Sequence, residues 1–117
     1  MSDKSFTIDK SVFDIENLIE ITFNDQTSIR DNFEAKFDYI KENLTNIIYI
    51  KDKVAGIVEC NQFFLNGKFH SFEHFAIYIS TKTDGNYYIN GEHFSYYEWI
   101  NHPEKVRYDR NKKLNLL

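Results

Sequence analysis

The sequence predicts a single α+β domain: N-terminal helices packed on an antiparallel, hairpin-built sheet, then a short C-terminal helix. Three observations carry this prediction. Apolar residues between positions 12 and 44 recur at intervals of three and four, the spacing of one helix face. From Asn46 onward the period changes to two, with β-branched and aromatic residues alternating with polar ones. The phrase Phe63-Phe64-Leu65-Asn66-Gly67 returns 24 residues later as Tyr87-Tyr88-Ile89-Asn90-Gly91. Asn-Gly after such a run suits a type I′ hairpin turn, because both central residues need positive φ.

The elements follow in order. Ser5–Asp9 reads as a short first strand. Val12, Ile15, Leu18/Ile19 and Thr22/Phe23 predict a helix over 12–23. A second, clearer helix is expected over 27–44. Ser28 caps it and Asp31 completes a short capping box. Its apolar stripe is Ile29, Phe33, Phe37, Ile40 and Leu44. Asp31, Glu34, Asp38 and Glu42 fall on the opposite side as a row of four carboxylates. Such a row is ordinarily a solvated face; its functional reading is a ridge that steers a basic partner.

Ile47–Ile50 and Val54–Cys60 form a hairpin about Lys51-Asp52-Lys53, with a bulge or close packing at Gly56. Gln62–Leu65 and Lys68–Ile79 form the next one about Asn66-Gly67. Asp84-Gly85 turns the chain, and Tyr87–Ile89 pairs with Glu92–Phe94 about Asn90-Gly91. Ser95 and Glu98 make a capping box for a helix carrying Tyr96, Tyr97, Trp99 and Ile100. Pro103 ends or interrupts that helix. Residues 103–117 form a second helical piece or a flexible basic tail.

Two-residue hairpin register sets Leu65 opposite Lys68, Phe64 opposite Phe69 and Phe63 opposite His70. Alternation then places Phe64, Phe69, Phe75, Ile77 and Ile79 on one face. Phe63, Leu65, His70, Phe72, His74, Ala76 and Tyr78 share the other. The first face is the floor for the long helix. The second lies under the C-terminal segment or meets a partner, with Phe63, Phe72 and Tyr78 as anchor candidates.

Composition bounds the function. The 117 residues are 42% hydrophobic and carry a net charge of −4, which fits one globular domain. Residues 1–46 hold ten acids and five bases; residues 103–117 hold two acids and five bases. A basic end on an acidic chain disfavours nucleic acid as the main partner. No apolar run reaches the roughly 20 residues of a membrane span. The start, Met1-Ser2-Asp3-Lys4, lacks signal-peptide layout, and Cys60 is the one cysteine. The expectation is therefore a cytoplasmic protein. Phe, Tyr, Met, Ile, Asn and Lys make up about half of the chain, which points to an AT-rich gene of the kind common in phages and mobile elements.

Catalytic signals are sparse. His70-Ser71-Phe72-Glu73-His74 reads H-x-x-E-H, the zinc pattern of inverted zincins, which requires a helix. On a strand the two histidines stand about 13 Å apart along the chain, so no metal site is expected. The four glycines make no phosphate loop. No cofactor and no catalytic residue is assigned. Ile47–Cys60 resembles the central hairpin of acyl-CoA-dependent N-acetyltransferases. Those enzymes need a Gly-rich loop after the next strand, where this chain has one glycine in 80–85.

Phe64-Leu65-Asn66-Gly67-Lys68-Phe69-His70, Ala76, and Tyr87–Gly91 resemble the aromatic Tyr-Leu-Asn-Gly-Lys-x-His β-repeats of many bacterial and viral proteins. The chain departs from them at Glu73-His74-Phe75, where those repeats carry Asp-Gly-Pro. The resemblance implies a structural or interaction module and transfers no catalytic residue. A helix wrapped by a curved sheet, as in cystatin-like folds, and a two-layer sandwich both fit.

The functional expectation is a small non-enzymatic, protein-binding inhibitor, such as a toxin-immunity protein or a phage-encoded inhibitor. Its partner is a protein, with a basic toxin or host factor as the leading case. The alternatives are a ligand or enzymatic pocket inside the curved sheet, lined by Tyr78, His70 and His74, and nucleic-acid binding through Lys105–Lys113.

Overall fold

The computed structural model describes residues 15–54, 58–80 and 85–115. Ser5–Asp9, the start of the first expected helix, Gly56 and Asp84 lie outside them. The described chain forms an antiparallel sheet of eight strands in the order β2-β1-β3-β4-β6-β7-β8, with β5 also paired to β4. The strands are β1 (Leu18–Phe23), β2 (Ser28–Ile29), β3 (Ile47–Val54), β4 (Val58–Leu65), β5 (Lys68–Phe69), β6 (Ile77–Ile79), β7 (Gly85–Ile89) and β8 (Glu92–Phe94). Three helices complete it: α1 (Phe37–Glu42), α2 (Tyr96–Ile100) and α3 (Pro103–Asn115). The α+β expectation holds, but the N-terminal helices do not: most of the helix is C-terminal.

The first error has a definite cause. Leu18–Phe23 is a strand, yet Leu18 and Ile21 are both buried, three residues apart. The pairing with β3 skips Ile19, since Leu18 opposes Asp52 and Glu20 opposes Lys51. A second skip at Ile48 puts Ile47 and Ile50 in the core at the same interval. A β-bulge adds one residue to an apolar period of two. The resulting three imitates a helix.

The expected 27–44 helix is also broken. Ser28 caps nothing; its hydroxyl bonds that of Thr22 at 2.9 Å across the β1–β2 pair. Asn32 has φ of 53°, a left-handed conformation that a helix cannot include and that Asn tolerates. Only Phe37–Glu42 is α-helical. The stripe still does its work: Ile29, Phe33 and Ile40 join Leu18, Ile21, Phe23, Ile47, Ile50 and Phe64 in one core, with Leu44 against it.

Lys51-Asp52-Lys53 is strand rather than turn. β3 and β4 pair from Tyr49↔Phe63 to Val54↔Val58. The Asn-Gly turns form as expected. Asn66 and Gly67 have φ of 53° and 81°, Asn90 and Gly91 of 51° and 86°. Phe64↔Phe69 and Leu65↔Lys68 are the predicted register. Ser95 and Glu98 form the full capping box of α2. Pro103 opens α3 rather than only closing α2: it takes the first helical position, where its missing N–H costs nothing. The His102 Nδ1 accepts from Glu104 N–H at 3.1 Å and caps the helix.

Candidate functional site

The largest departure from expectation lies between β5 and β6. Lys68–Ile79 is not one strand. The Phe63 amide donates to Ala76 O at 2.7 Å, and the Phe63 carbonyl accepts from His70 N–H at 3.0 Å. Residues 71–75 therefore leave the sheet and return opposite one residue of β4. The neighbouring strand brackets them too: Ser71 N–H donates to Tyr88 O (3.1 Å) and Ala76 N–H to Asn86 O (2.9 Å). Within the excursion, the Ser71 hydroxyl accepts from the Glu73 and His74 amides, both at 3.2 Å.

The C-terminal helices hold this excursion. The Trp99 indole Nε1–H donates to the Ser71 carbonyl at 2.8 Å in a buried bond. Trp99 is 4% exposed and packs on Tyr87, ring centres 4.5 Å apart. Phe72 lies on Tyr108 at 5.0 Å. Glu73 accepts the Tyr108 O–H and two bonds from Lys112 Nζ, both 2.9 Å. The Tyr108 bond, then Lys112, lowers the Glu73 pKa below its usual value. Tyr108 and Lys112 are raised in turn, each chiefly by its bond to Glu73.

The H-x-x-E-H segment is thus a bent loop, not a strand, and its histidines diverge. His70 Nδ1 accepts from Asn90 N–H at 3.0 Å, and its ring meets Phe72. Burial lowers the His70 pKa, which suits a neutral acceptor. His74 donates from Nδ1 to Phe75 O at 2.8 Å and packs on Phe63 at 4.6 Å. Among the described residues no three His, Cys, Asp or Glu side chains gather as a metal site. His74 and Tyr78 are neighbours, ring centres 6.0 Å apart, while His70 is turned toward Phe72 and Asn90.

The excursion also re-sorts the aromatics. Phe75 leaves its expected face and meets Tyr78 and Tyr87. Phe63 and Tyr78 share the second sheet face, stacked with centres 6.4 Å apart. Phe72 does not join them; it belongs to the contact with α3. An aromatic row now runs Tyr49, Phe63, Tyr78, Phe75, Tyr87, Trp99. The helices cover its Tyr87 end. At the other end Tyr49, Phe63 and Tyr78 are half-buried. There the Tyr49 hydroxyl donates to Asn61 Oδ1 (2.6 Å) and Asn61 Nδ2 to Ser80 Oγ (2.7 Å). Burial, then Glu20, pushes the Tyr49 pKa up to about 12. Cys60 is likewise raised, to about 11, by burial and then Asp52, which keeps its thiol protonated at neutral pH.

The four carboxylates do not form one helix face. Asp31 sits in a bend, Glu34 in a turn, and Asp38 and Glu42 on α1; all are exposed. Asp31 pairs with Lys36 at 3.5 Å and Asp38 with Lys41 at 3.8 Å. With Arg30, the stretch 30–42 holds three bases against four acids, which leaves a net −1.

Sequence reasoning missed the second exposed surface. On α2, Tyr96 is 55% and Tyr97 76% exposed, and Ile100 is exposed beside them. On α3, Val106 and Leu114 are exposed. For α2 the capping box marks in the sequence where the helix begins, but that Trp99 faces inward is decided by its tertiary contacts with Ser71 and Tyr87.

The fold and site define an antiparallel α+β sheet protein with a helical pair clamped to one end. No family model matches the chain, and neither a curated protein nor a solved structure resembles it. No described helix is long and apolar enough to cross a membrane.

Proposed function

We propose that this chain is a small, non-enzymatic, cytoplasmic binding protein that neutralises a protein partner, as toxin-immunity proteins and phage-encoded inhibitors do. One observation carries the reading: α2 presents Tyr96, Tyr97 and Ile100 to solvent from a fixed mount. Tyrosine supplies a large contact area with few rotatable bonds, and it is enriched in binding hot spots. The mount is the buried Trp99, bonded to Ser71 and packed on Tyr87, so little ordering cost remains at association. Small size, acidic charge and AT-rich coding add support from the sequence. Steering of a basic partner by Asp31, Glu34, Asp38 and Glu42 has weaker support, because two of the four are paired locally.

The test is co-expression of the tagged chain with the product of its neighbouring reading frame, followed by size-exclusion chromatography. The expected result is a stoichiometric complex that the double change Tyr96→Ala, Tyr97→Ala abolishes while circular dichroism stays unchanged. The half-buried row of Tyr49, Phe63 and Tyr78 favours one second reading, a ligand site on that sheet face. A thermal-shift screen with metals, nucleotides and acyl-CoA distinguishes it. Saturable stabilisation by one of them, with no complex formed, displaces the protein-binding reading.

A further inference from the structure

The fold sorts the charges of α3. Lys105 is only 7% exposed. Its ammonium lies 4.5 Å from the Trp99 ring centre and bonds both Asp109 oxygens at 2.7 and 2.8 Å. Lys112 is held by Glu73. The helix carries five cations, Lys105, Arg107, Arg110, Lys112 and Lys113; two of them are therefore already paired, buried Lys105 with exposed Asp109 and exposed Lys112 with Glu73. Arg107, Arg110 and Lys113 are exposed, and none has a carboxylate within pairing distance among the described residues. At 3.6 residues per turn, Arg107 and Arg110 lie on the side of the helix away from Lys105 and Lys112, and Lys113 lies on its flank. Exposed Val106 and Leu114 stand among them. Among the described residues, Val106, Asp109, Arg110 and Lys113 line a groove of about 290 Å³.

We propose that this outer face of α3 docks an acidic, amphipathic segment of a protein partner, one with Asp or Glu residues flanking an apolar side chain. The proposal rests on the protein-binding reading above and names the chemistry of its partner. Arginine forks match carboxylates in bidentate geometry. Val106 and Leu114 offer apolar contact that a phosphate backbone does not use. Three cations on a chain of net −4 neutralise too few phosphates for strong polyanion binding. Two apolar side chains are likewise too few to seat a helix in a lipid interface.

The experiment measures fluorescence anisotropy of three labelled probes against the full chain at low and physiological salt. The probes are a peptide of alternating Glu and Leu, a 20-base single-stranded DNA and a DNA duplex of equal length. Phosphatidylserine vesicles are tested by co-sedimentation. The expected result is saturable one-to-one peptide binding. The double change Arg107→Glu, Arg110→Glu should weaken it by about tenfold or more and flatten its salt dependence. Both residues are exposed, so melting temperature serves as the folding control.

An absence of peptide binding, or equal binding by the variant, overturns the assignment. So does tighter binding of DNA or vesicles than of peptide, lost in the same variant. Self-association in sedimentation that the variant abolishes assigns the face to a second copy and also overturns it. The co-expression experiment uses no peptide and scores Tyr96 and Tyr97. A complex there that tolerates Arg107→Glu, Arg110→Glu refutes the acidic-partner assignment alone. A missing complex refutes the protein-binding reading itself.

Discussion

Phe63 is where one residue decides the course of the chain. Its amide and carbonyl bond the two ends of the 71–75 excursion, so a single β4 position closes a loop that would otherwise need its own turn residues. Gly85 guards the other side. An added Cβ there would lie 2.6 Å from Ile77 O, 2.7 Å from Tyr78 Cβ and 2.8 Å from Phe75 Cγ. Gly85→Ala should therefore destabilise the fold by about 1–3 kcal/mol, the usual cost of overpacking. Urea unfolding measures it, and an unchanged midpoint would refute the close approach. Trp99 acts by its indole N–H as much as by its ring. Trp99→Phe keeps the aromatic contact but leaves the buried Ser71 carbonyl without its donor. The expected loss is about 1–3 kcal/mol; a loss no larger than that of an exposed Tyr97→Phe control would show the bond to be unimportant.

At the scale of elements, the excursion and α3 form one clasp, closed by Glu73, Tyr108 and Lys112. Its pH dependence has two limbs of opposite sign. Glu73 is held below its ordinary value of 4.5, so its contribution is present above that pH and fades as pH falls through the lowered value. Lys112 is held above its ordinary 10.5, so its contribution is present below that pH and is lost as pH rises through the raised value. The clasp should be closed across the whole neutral range. Solvent screening limits the Glu73 contribution to about 1 kcal/mol or less. Glu73→Gln should erase the acid limb and speed amide exchange in α3 while leaving β3 untouched. Identical acid profiles for the two proteins would rule the clasp out as the titrating device.

The hairpins at Asn66-Gly67 and Asn90-Gly91 were legible because their turn chemistry is local. The excursion was not. Residues 68–79 contain no Gly, Pro, Asn or Asp, so nothing in them signals a break. Trp99, Tyr108 and Lys112, 24 to 41 residues away in the chain, supply the contacts that make leaving the sheet favourable. The candidate site suffered accordingly: Phe63 and Tyr78 stayed together, Phe72 went to α3, and the exposed face of α2 was overlooked.

Across the whole molecule, stability should be graded. β3 is bonded on both sides, by β1 and β4, and buries Ile47 and Ile50 in the main core. Among the described residues, α3 is held to the rest of the molecule mainly through α2 and the clasp. Native-state hydrogen exchange should show β3 opening only with global unfolding and α3 opening at lower free energy; equal protection would mean the helical pair folds as one unit with the core. The same gradient bears on binding, since Tyr96 and Tyr97 sit on the better-anchored α2, while Arg107, Arg110 and Lys113 ride on α3.

The sequence by itself determined the α+β class, the two Asn-Gly turns with their register, the capped α2 and part of the main core, including Ile29, Phe33, Ile40 and Phe64. Each of these depends on residues close in the chain, or on which side chains are apolar regardless of backbone. The tertiary structure decided the rest. Bulges at Ile19 and Ile48 turned an apparent helix period into strands. Asn32 broke the acidic helix and divided its carboxylates among a bend, a turn and α1. A loop closed on Phe63 took the apparent metal motif out of the sheet and turned its two histidines toward different neighbours. These outcomes depend on partners distant in sequence, and local spacing carries no record of them.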